Sequence, residues 1–394
     1  MSKLICLLFS PLPPREPDNG DASFTRDLLS SPPSGVTYIP YGEALESGAV
    51  EDGPSWRRGG KLPRTPADAA AAGQRFLLHG LRRGGWLLPD PVRWLRVRDH
   101  FDVVHIHSMP VRLLGMVPPA VVTESGGSFW WWNAGKGMPL SKVQHLLQRE
   151  RRLSRRLHYI HPTATPDAAT AAFLMVPSAR PLFASLGIDA DAIRVLPGGV
   201  PGPLAPGTER RGEYDGDGGP VTVVFVARQF EVKGGPTVLE IFRRVRVLFG
   251  NARLVIAGPP GPDPGLDGVT WLGPVTREQL YQEVYPHADL MIYPTTADAG
   301  PRVVEEALAH GIPVVAPAAF GLDDQVDDGR TGILYPPGDT EAAVVAVVGL
   351  LKDRPRLSHM AREAADDFAR RFSADLRNRL LLEAYEAAAA GAPR

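Results

Sequence analysis

The chain has 394 residues, 44% hydrophobic and 22% charged, which is enough for two domains with full cores. Lys and Arg number 43 against 44 Asp and Glu, so the bulk charge gives no support to a nucleic-acid partner, and we expect none. The lone cysteine, Cys6, excludes an internal disulfide and makes a cysteine-based zinc site implausible.

The first apolar run, Leu4–Phe9, is too short for the core of a signal peptide, and no small-residue cleavage site follows it. The sequence has no run of 18 apolar residues, so no transmembrane helix is predicted. We therefore interpret this run as a buried first strand and expect a cytoplasmic protein.

The first half of the chain predicts strands that alternate with helices. A helix is expected over 20–29, where Asp21 or Ser23 could cap it, and another over Leu140–Leu157. The strand candidates are 36–39, 101–108, 120–127 and 173–178, and the segment 193–200 closes this half of the chain. This order indicates a doubly wound α/β domain.

Residues 201–219 are rich in Pro, Gly and charge without periodicity, which is typical of an interdomain linker. A second series follows, with strand candidates at 221–227, 252–258, 269–273 and 290–294. We therefore predict an α/β protein of two Rossmann-like parallel-sheet domains that face each other across a cleft.

The stretch 298–316, DAGPRVVEEALAHGIPVVA, predicts a loop, a helix and a strand. Pro301 suits the first helical position, and Gly311 with Pro313 ends the helix. The free amides of the first helical turn make an anion site, while Asp298 and Glu306 can accept hydrogen bonds from hydroxyls. Phosphate and hydroxyls together indicate a sugar nucleotide. An ordinary strand–helix unit with a solvated acidic helix is the alternative.

Two cations, Arg228 and Lys233, stand in VARQFEVKGG just after the strand 221–227. Beside Gly234 and Gly235, at the mouth of a parallel sheet, they suit a diphosphate. Solvated loop charges are the alternative.

The order of these segments resembles the retaining glycosyltransferases of family GT4, which have the GT-B fold. The resemblance rests on FDVVHIHS, IRVLPGGV, VARQFEVKGG, the Asp-x7-Glu stretch from Asp298 to Glu306, and GLDDQVDDGRTGILYPPGD. FSADLRNRLLLEAYEAA is similar to the family's C-terminal helix. The resemblance implies an acceptor domain at 1–200, a linker at 201–219, a nucleotide-sugar domain at 220–374, and a helix at 375–390 that crosses back.

The resemblance implies a metal-independent hexosyltransferase with no cofactor, whose donor is a nucleoside-diphosphate sugar. Arg228 and Lys233 would neutralise the diphosphate. Glu306 would hold the ribose, and Asp298 would contact the donor sugar. Its acceptor would be a small molecule, a glycan or a lipid-linked compound.

Further donor-site assignments are the amides near Arg302 and Val303, the added cation of Arg302, and the glycines Gly258 and Gly20. His107, at the end of its strand, is the candidate catalytic group of the first domain, although a strand-end histidine is more often structural.

Two departures from the family pattern concern the donor loop. Asp298 replaces a glutamate and is one methylene shorter, and Pro301 replaces a glycine and removes one amide. In the first domain, Ser125 stands near the position where many members carry a histidine. A sugar-nucleotide epimerase on the same fold and a non-catalytic sugar-nucleotide-binding protein therefore remain alternatives.

Trp130–Trp132 and a basic helical stretch lie in the predicted acceptor domain. Arg149, Arg152 and Arg156 fall on one helical face, opposite a leucine face formed by Leu146, Leu153 and Leu157. Tryptophan beside arginine suits a peripheral contact with anionic lipid, whereas a solvated helix face is the simpler interpretation.

Overall fold

The computed structural model divides into two compact units, which we call the N-terminal unit (Met1–Leu196 with Asn378–Arg394) and the C-terminal unit (Pro197–Arg377). The structure describes residues 4–10, 20–52, 80, 93–98, 100–108, 111–114, 119–124, 137–161, 163–166, 169–202, 220–258, 260, 265–296, 298, 300–319 and 321–391. Most of the predicted linker, 203–219, lies outside these residues.

The N-terminal unit contains ten described strands. In chain order they are β1 (Leu4–Phe9), β2 (Val36–Pro40), β3 (Val50–Asp52), β4 (Arg93–Val97), β5 (Val103–His107), β6 (Val111–Leu114), β7 (Ala120–Glu124), β8 (Tyr159–Ile160), β9 (Ala171–Leu174) and β10 (Arg194–Val195). Six of them form an all-parallel sheet in the order β10-β9-β7-β5-β1-β2. The strand order reverses between β1 and β5, which is the switch point where such sheets bind ligands.

A second sheet in this unit, β3-β4-β6-β8, is mixed. Its outer pairs are antiparallel and its central pair, β4 with β6, is parallel. It was not predicted, because strands of two to five residues carry almost no periodic signal.

The described helices of the N-terminal unit are α1 (Gly20–Ser30), α2 (Tyr41–Glu46), α3 (Leu140–Leu157) and α4 (Arg180–Ser185), and the end of the last helix returns to this unit. Burial of apolar side chains explains this return. Leu381 and Tyr385 of the last helix are fully buried in one cluster with Leu8 of β1 and Phe24 of α1. Burial of side chains of this size is worth about 1.5–3 kcal/mol each.

The C-terminal unit is built on one parallel sheet of six strands. They are β11 (Thr222–Val226), β12 (Arg253–Ala257), β13 (Val269–Gly273), β14 (Leu290–Ile292), β15 (Val314–Pro317) and β16 (Gly332–Tyr335), in the order β13-β12-β11-β14-β15-β16. The helices are α5 (Gly235–Leu248), α6 (Arg277–Gln279), α7 (Arg302–Ala309), α8 (Leu322–Gln325), α9 (Thr340–Lys352), α10 (Arg354–Arg371) and α11 (Ala374–Ala389), the last of which continues into the N-terminal unit.

The predicted helix of the central stretch is present as α7, with one correction at its start. Pro301 precedes the helix in an extended conformation, and Arg302 is the first helical residue. The predicted apolar face, Val304, Ala307 and Leu308, is fully buried, and Gly311 with a φ of +61° follows the helix. Burial of this face against the sheet fixes where the helix begins relative to β14.

The stretch after β13 is irregular and does not form one continuous helix. Thr276 caps α6 through a reciprocal bond pair with Gln279, after which the chain forms a π-helical turn, Leu280–Val284, and a 3-10 turn, Tyr285–His287. The π turn places both Tyr281 and Tyr285 in the core. Within the part of the chain that the structure describes, every helix is too short or too polar to span a membrane.

Candidate functional site

The strand order of the C-terminal unit reverses between β11 and β14, so that the first and fourth strands of the sheet are neighbours. In open parallel sheets, ligands bind at this switch point, beyond the carboxyl ends of the strands. The loop after β11 carries Arg228 and Lys233, and the loop after β14 carries Asp298. The topology therefore brings the two predicted motifs to one place.

Two glycines allow close approach of the chain at this edge of the sheet. Gly234, with a φ of +85°, lies so close to the end of β14 that a Cβ there would be 2.1 Å from the carbonyl oxygen of Pro294. Gly258, with a φ of +112°, lies against the end of β11, where a Cβ would be 2.4 Å from the carbonyl oxygen of Ala227. Larger residues at either position would push the loops apart.

The two loops are also joined by hydrogen bonds. Both the amide and the hydroxyl of Thr296 donate to the carbonyl oxygen of Val232, at 3.4 Å and 3.3 Å. This places Lys233, the next residue, over the loop after β14.

Lys233 and Asp298 form an ion pair in which Nζ lies 2.6 Å from Oδ2. The side chains are 22% and 14% exposed, so both are largely withdrawn from solvent yet open on one side. The same Oδ2 accepts a hydrogen bond from the hydroxyl of Tyr293 at 2.9 Å. Asp298 therefore does not turn outward to solvent, and a cation and a neutral donor both hold it.

Tyr293 follows β14 directly and is almost fully buried. Burial, and then the negative charge of Asp298, hold the pKa of the Tyr293 hydroxyl well above its usual range. The phenol is therefore neutral and donates its hydrogen at every ordinary pH.

Glu306, in the middle of α7, is also buried. Its Oε1 lies 3.3 Å from Nε of Arg277, and its Oε2 accepts a hydrogen bond from the hydroxyl of Tyr285 at 3.3 Å. Burial is the main cause that raises the pKa of the Tyr285 hydroxyl well above its usual range, and the negative charge of Glu306 adds to it. Each of the two motif carboxylates thus contacts a cation and a buried tyrosine.

The first turn of α7 differs from the expected anion site in one respect. The guanidinium of Arg302 is buried and donates through Nη1 to the carbonyl oxygen of Gly198 at 2.6 Å. Its role as an added cation for the donor, like the phosphate contacts of the Arg302 and Val303 amides, stays a prediction.

Glu305, next to the second motif carboxylate, belongs to the same buried group. Burial raises the pKa of its carboxyl to about 7, against the opposing effects of Arg302 and Gln325. The amide of Gln325 lies 3.3 Å from Oε1 of Glu305 and can donate to it. This carboxyl is a buried group with an unusual proton affinity, and no sequence pattern indicated it.

Arg228 is exposed at the beginning of its loop, and its amide lies beside Gly258, which brings these two predicted residues to the same edge. Their assignments to the donor site stay predictions.

The remaining two predicted residues, His107 and Gly20, lie in the other unit. His107 ends β5, next to the switch point of the N-terminal sheet, and Gly20 begins α1. The His107 side chain is fully buried, with Nδ1 2.8 Å from Oγ1 of Thr123 and its ring stacked on Phe24 at 4.1 Å. The catalytic assignment of His107 stays a prediction.

His107 belongs to a buried series of hydrogen bonds. Thr123 Oγ1 also lies 3.0 Å from Nε2 of His105, whose Nδ1 is 2.6 Å from the hydroxyl of Tyr385, and that hydroxyl is 2.9 Å from the hydroxyl of Tyr38. Because the Thr123 hydroxyl has one hydrogen, at least one of the two imidazoles donates to it. The tautomers of His105 and His107 are therefore coupled.

The tryptophans Trp130–Trp132 lie outside the described residues. On α3, Arg152 and Arg156 are exposed and Arg149 is partly exposed, while Leu146 is buried. No described group of three or more His, Cys, Asp and Glu side chains is arranged to hold a metal ion.

Sequence reasoning missed Tyr293, Tyr285 and Arg277. Tyr293 could have been noticed as the one residue with a polar group inside the apolar run before the loop. For Arg277 and Tyr285 the sequence held no signal, because their contact with Glu306 depends on the irregular turns that precede β14.

The C-terminal sheet lies within a segment that matches a known protein family. Residues 220–353 match the family described as Glycosyl transferases group 1. Two curated relatives are D-inositol 3-phosphate glycosyltransferases. The protein from Nocardia farcinica is 35% identical over 240 residues, 53% of this chain and 51% of the relative, and that from Rhodococcus erythropolis is 29% identical over 67% and 66%. The chain thus spans about half to two thirds of their length.

Solved structures are similar over nearly the whole chain. Anabaena Alr3699/HepE in complex with UDP and glucose has a TM-score of 0.60 at 14% identity, covering 98% of this chain and 100% of that one. The sucrose-phosphate synthase of Thermosynechococcus elongatus has a TM-score of 0.62 at 15% identity, covering 98% and 99%. At these identities the similarity establishes the fold, and the predicted GT-B fold with two parallel-sheet domains is confirmed.

Proposed function

We propose that this chain, whose residues 220–353 form a glycosyl transferases group 1 domain, transfers a hexose from a nucleoside-diphosphate sugar to an acceptor hydroxyl. The reaction proceeds with retention at the anomeric carbon and without a metal ion. The observation that carries the proposal is the meeting of Lys233 and Asp298, 2.6 Å apart, at the switch point of this domain. A cation for phosphate and a carboxylate for sugar hydroxyls are thereby adjacent.

Different residues bind the diphosphate, the ribose and the sugar of the donor. Arg228 and Lys233 neutralise the diphosphate, and the first-turn amides of α7 add donors of the kind that bind phosphate at helix starts. Glu306 accepts hydrogen bonds from the ribose, displacing Arg277 from part of its carboxylate. Asp298 accepts hydrogen bonds from the sugar, whose anomeric carbon lies next to the diphosphate.

In the transfer, the bond between the anomeric carbon and the diphosphate oxygen breaks, and a bond to the acceptor oxygen forms on the same face. The proton of the acceptor hydroxyl passes to the departing diphosphate oxygen. Negative charge grows on the diphosphate as the bond breaks, so Arg228 and Lys233 stabilise the transition state more than the ground state.

The N-terminal unit is the acceptor-binding part, with its switch point beside His107. Relatives named D-inositol 3-phosphate glycosyltransferases make a phosphorylated polyol the first acceptor to test. A lipid-linked acceptor is tested beside it, because α3 exposes a row of arginines that suits anionic headgroups.

The test begins with binding. Thermal unfolding is followed with UDP-glucose, GDP-mannose and further sugar nucleotides, since a ligand at 100 times its Kd stabilises the folded protein by about 2.7 kcal/mol. The donor that binds is then incubated with D-inositol 3-phosphate, or with acidic vesicles carrying a polyprenyl phosphate, and nucleoside diphosphate release and product stereochemistry are measured.

Three results would contradict the proposal. If no sugar nucleotide stabilises the protein, the proposed donor site is wrong. Binding without transfer or donor hydrolysis indicates a non-catalytic binding protein, and conversion of the donor sugar without an acceptor indicates an epimerase.

A further inference from the structure

We propose that Tyr293 is a positioning residue, which holds the Asp298 carboxylate in the orientation that contacts the donor sugar. The inference rests on the proposed function, because it assigns Asp298 to the sugar. It adds a residue that lies outside the sequence motif. The observation that carries it is the hydrogen bond of 2.9 Å from the Tyr293 hydroxyl to Asp298 Oδ2.

The phenol is fixed by the sheet. The amide of Tyr293 donates to the carbonyl oxygen of Val315 in β15 at 2.9 Å, and the ring is buried beside Phe225 of β11 at a centroid distance of 6.2 Å. Asp298, in contrast, lies in a loop and takes no part in a strand or helix. A rigid donor thus holds a loop carboxylate, which is the arrangement needed to place a contact within a fraction of an ångström.

Lys233, a second partner of Asp298 Oδ2, does not fix the carboxylate once a diphosphate is bound. Lys233 contacts the same Oδ2 at 2.6 Å, but a diphosphate attracts its ammonium group. The flexible side chain of lysine allows that group to move toward the phosphate. When the ammonium turns toward phosphate, the Tyr293 hydroxyl still holds the carboxylate. Tyr293 therefore makes the orientation of Asp298 independent of whether Lys233 is engaged.

The chemistry of the donor suits this role. A buried phenol that stays neutral always offers one hydrogen and cannot become a competing anion beside the carboxylate. A carboxylate has about four lone-pair sites, and the bond from Tyr293 to Oδ2 occupies one of them.

The chain supplies an internal comparison. Tyr285 donates to Glu306 at 3.3 Å in the same way, but Glu306 is assigned to the ribose. If each tyrosine acts through its own carboxylate, loss of the Tyr293 hydroxyl affects the sugar and loss of the Tyr285 hydroxyl affects the nucleotide. A general loosening of the core would affect both equally.

The experiment uses the full chain with the substitutions Tyr293→Phe, Tyr285→Phe and, as a matched control, Tyr335→Phe. Tyr335 is a buried tyrosine at the end of β16 and is distant in sequence from both carboxylates. Calorimetric titrations with UDP and UDP-glucose, and with GDP and GDP-mannose, give the affinity that the sugar adds to each nucleotide. Turnover and KM are measured with the donor that binds.

For Tyr293→Phe we expect nucleoside diphosphate affinity within about twofold of the parent, and a loss of roughly 10- to 100-fold in turnover, the range for a hydrogen bond to a charged group. The affinity added by the sugar should fall as well. Tyr285→Phe should weaken the nucleoside diphosphate itself, and Tyr335→Phe should change neither. The double variant Tyr293→Phe/Asp298→Asn should lose little more turnover than Asp298→Asn alone.

Two results overturn the inference. One is a Tyr293→Phe variant that matches Tyr335→Phe both in turnover and in the affinity that the sugar adds. The other is a double variant whose loss of turnover equals the two single losses combined. Failure of the proposed function gives a different result, since the parent protein would then bind a sugar nucleotide without turnover or bind none. If it binds without turnover, the affinity that the sugar adds still decides the role of Tyr293. If it binds none, Asp298 has no donor to contact and the inference falls with the function.

Discussion

Nζ of Lys233 lies 2.6 Å from Oδ2 of Asp298, although 65 positions separate the two residues in the chain. One follows the first strand of the C-terminal sheet and the other follows the fourth, and the strand order makes these strands neighbours. In the proposed reaction, the cation serves the diphosphate and the carboxylate serves the sugar. In that proposed reaction, their contact lies beside the bond that breaks.

Asp298→Asn should lower turnover more than donor affinity. The amide keeps the shape of the side chain but loses the charge that binds Lys233 and strengthens bonds from sugar hydroxyls. We expect a loss of about 2 kcal/mol or more in transition-state stabilisation, seen in kcat, with the Kd for UDP changed little. Turnover equal to that of the parent, with the nucleotide still bound, would show that Asp298 does not contact the donor sugar.

Arg228→Ala should weaken nucleoside diphosphate binding by about 2 kcal/mol, since it removes a charged donor to phosphate. Arg243→Ala is the matched control, because Arg243 is an exposed arginine of α5 that pairs with an exposed carboxylate, Glu240. Titration calorimetry with UDP and GDP measures both. Equal affinities for the two variants would remove Arg228 from the site.

Glu306→Gln should weaken nucleotide binding and leave turnover at saturating donor nearly unchanged. The residue lies in the second turn of α7, roughly 7 Å along the axis from Pro301, so it can reach a ribose but not the reacting carbon. Its buried contact with Arg277 is lost as well, so the melting temperature is measured in parallel. A fall in kcat without a change in nucleotide affinity would mean that Glu306, and not Asp298, has the role assigned to the contact with the donor sugar.

Stability should fall as pH rises from about 5 to 7, in part because of Glu305. Its carboxyl has an ordinary pKa of 4.5 and a folded-state pKa of about 7, so between these values the unfolded chain releases the proton and the folded chain keeps it. The stabilisation is complete below 4.5 and is lost by the time pH passes 7, by about 3 kcal/mol at most.

Glu305→Gln should remove that part of the pH dependence and make the protein more stable at pH 8, because the amide mimics the protonated acid. Urea unfolding at pH 5 and pH 8 measures the difference. Glu341→Gln, at an exposed carboxylate on α9, is the control and should leave the slope unchanged. Parallel slopes for the parent and Glu305→Gln would mean that Glu305 is ionised in the folded protein.

A buried ion pair in the N-terminal unit predicts a large loss of stability. Arg112 donates from Nε and Nη2 to both oxygens of Glu150 at 2.7 Å, and both side chains are fully buried. Although burial alone raises the pKa of the Glu150 carboxyl, Arg112 holds it below its usual range. Glu150→Leu leaves the guanidinium buried without this partner and should cost about 3–5 kcal/mol.

The double variant Arg112→Met/Glu150→Leu should recover most of that loss, because no buried charge remains. Arg243→Met, at the exposed pair with Glu240, should cost less than about 1 kcal/mol. Chemical denaturation of the three variants tests this order. A double variant as unstable as Glu150→Leu would mean that packing, rather than charge, explains the loss.

Much of the fold follows from local sequence. The apolar runs before Arg228 and Asp298 became β11 and β14, and Leu140–Leu157 became one helix with the predicted limits. Gly311 ends α7 in the left-handed conformation that its position after the helix requires. These features depend on periodicity and on backbone preferences within a few residues, so a single sequence is enough to predict them.

The sequence by itself determined that Arg228, Lys233 and Asp298 stand after strands, where a parallel sheet collects them at one edge. Only the tertiary structure decided which of them meet. Lys233 pairs with Asp298, Arg302 turns inward to Gly198, Glu305 is buried with a raised pKa, and Tyr293 reaches the motif carboxylate. Such contacts depend on strand order, close loop approach and loss of water, and none of these is a property of a local stretch of chain.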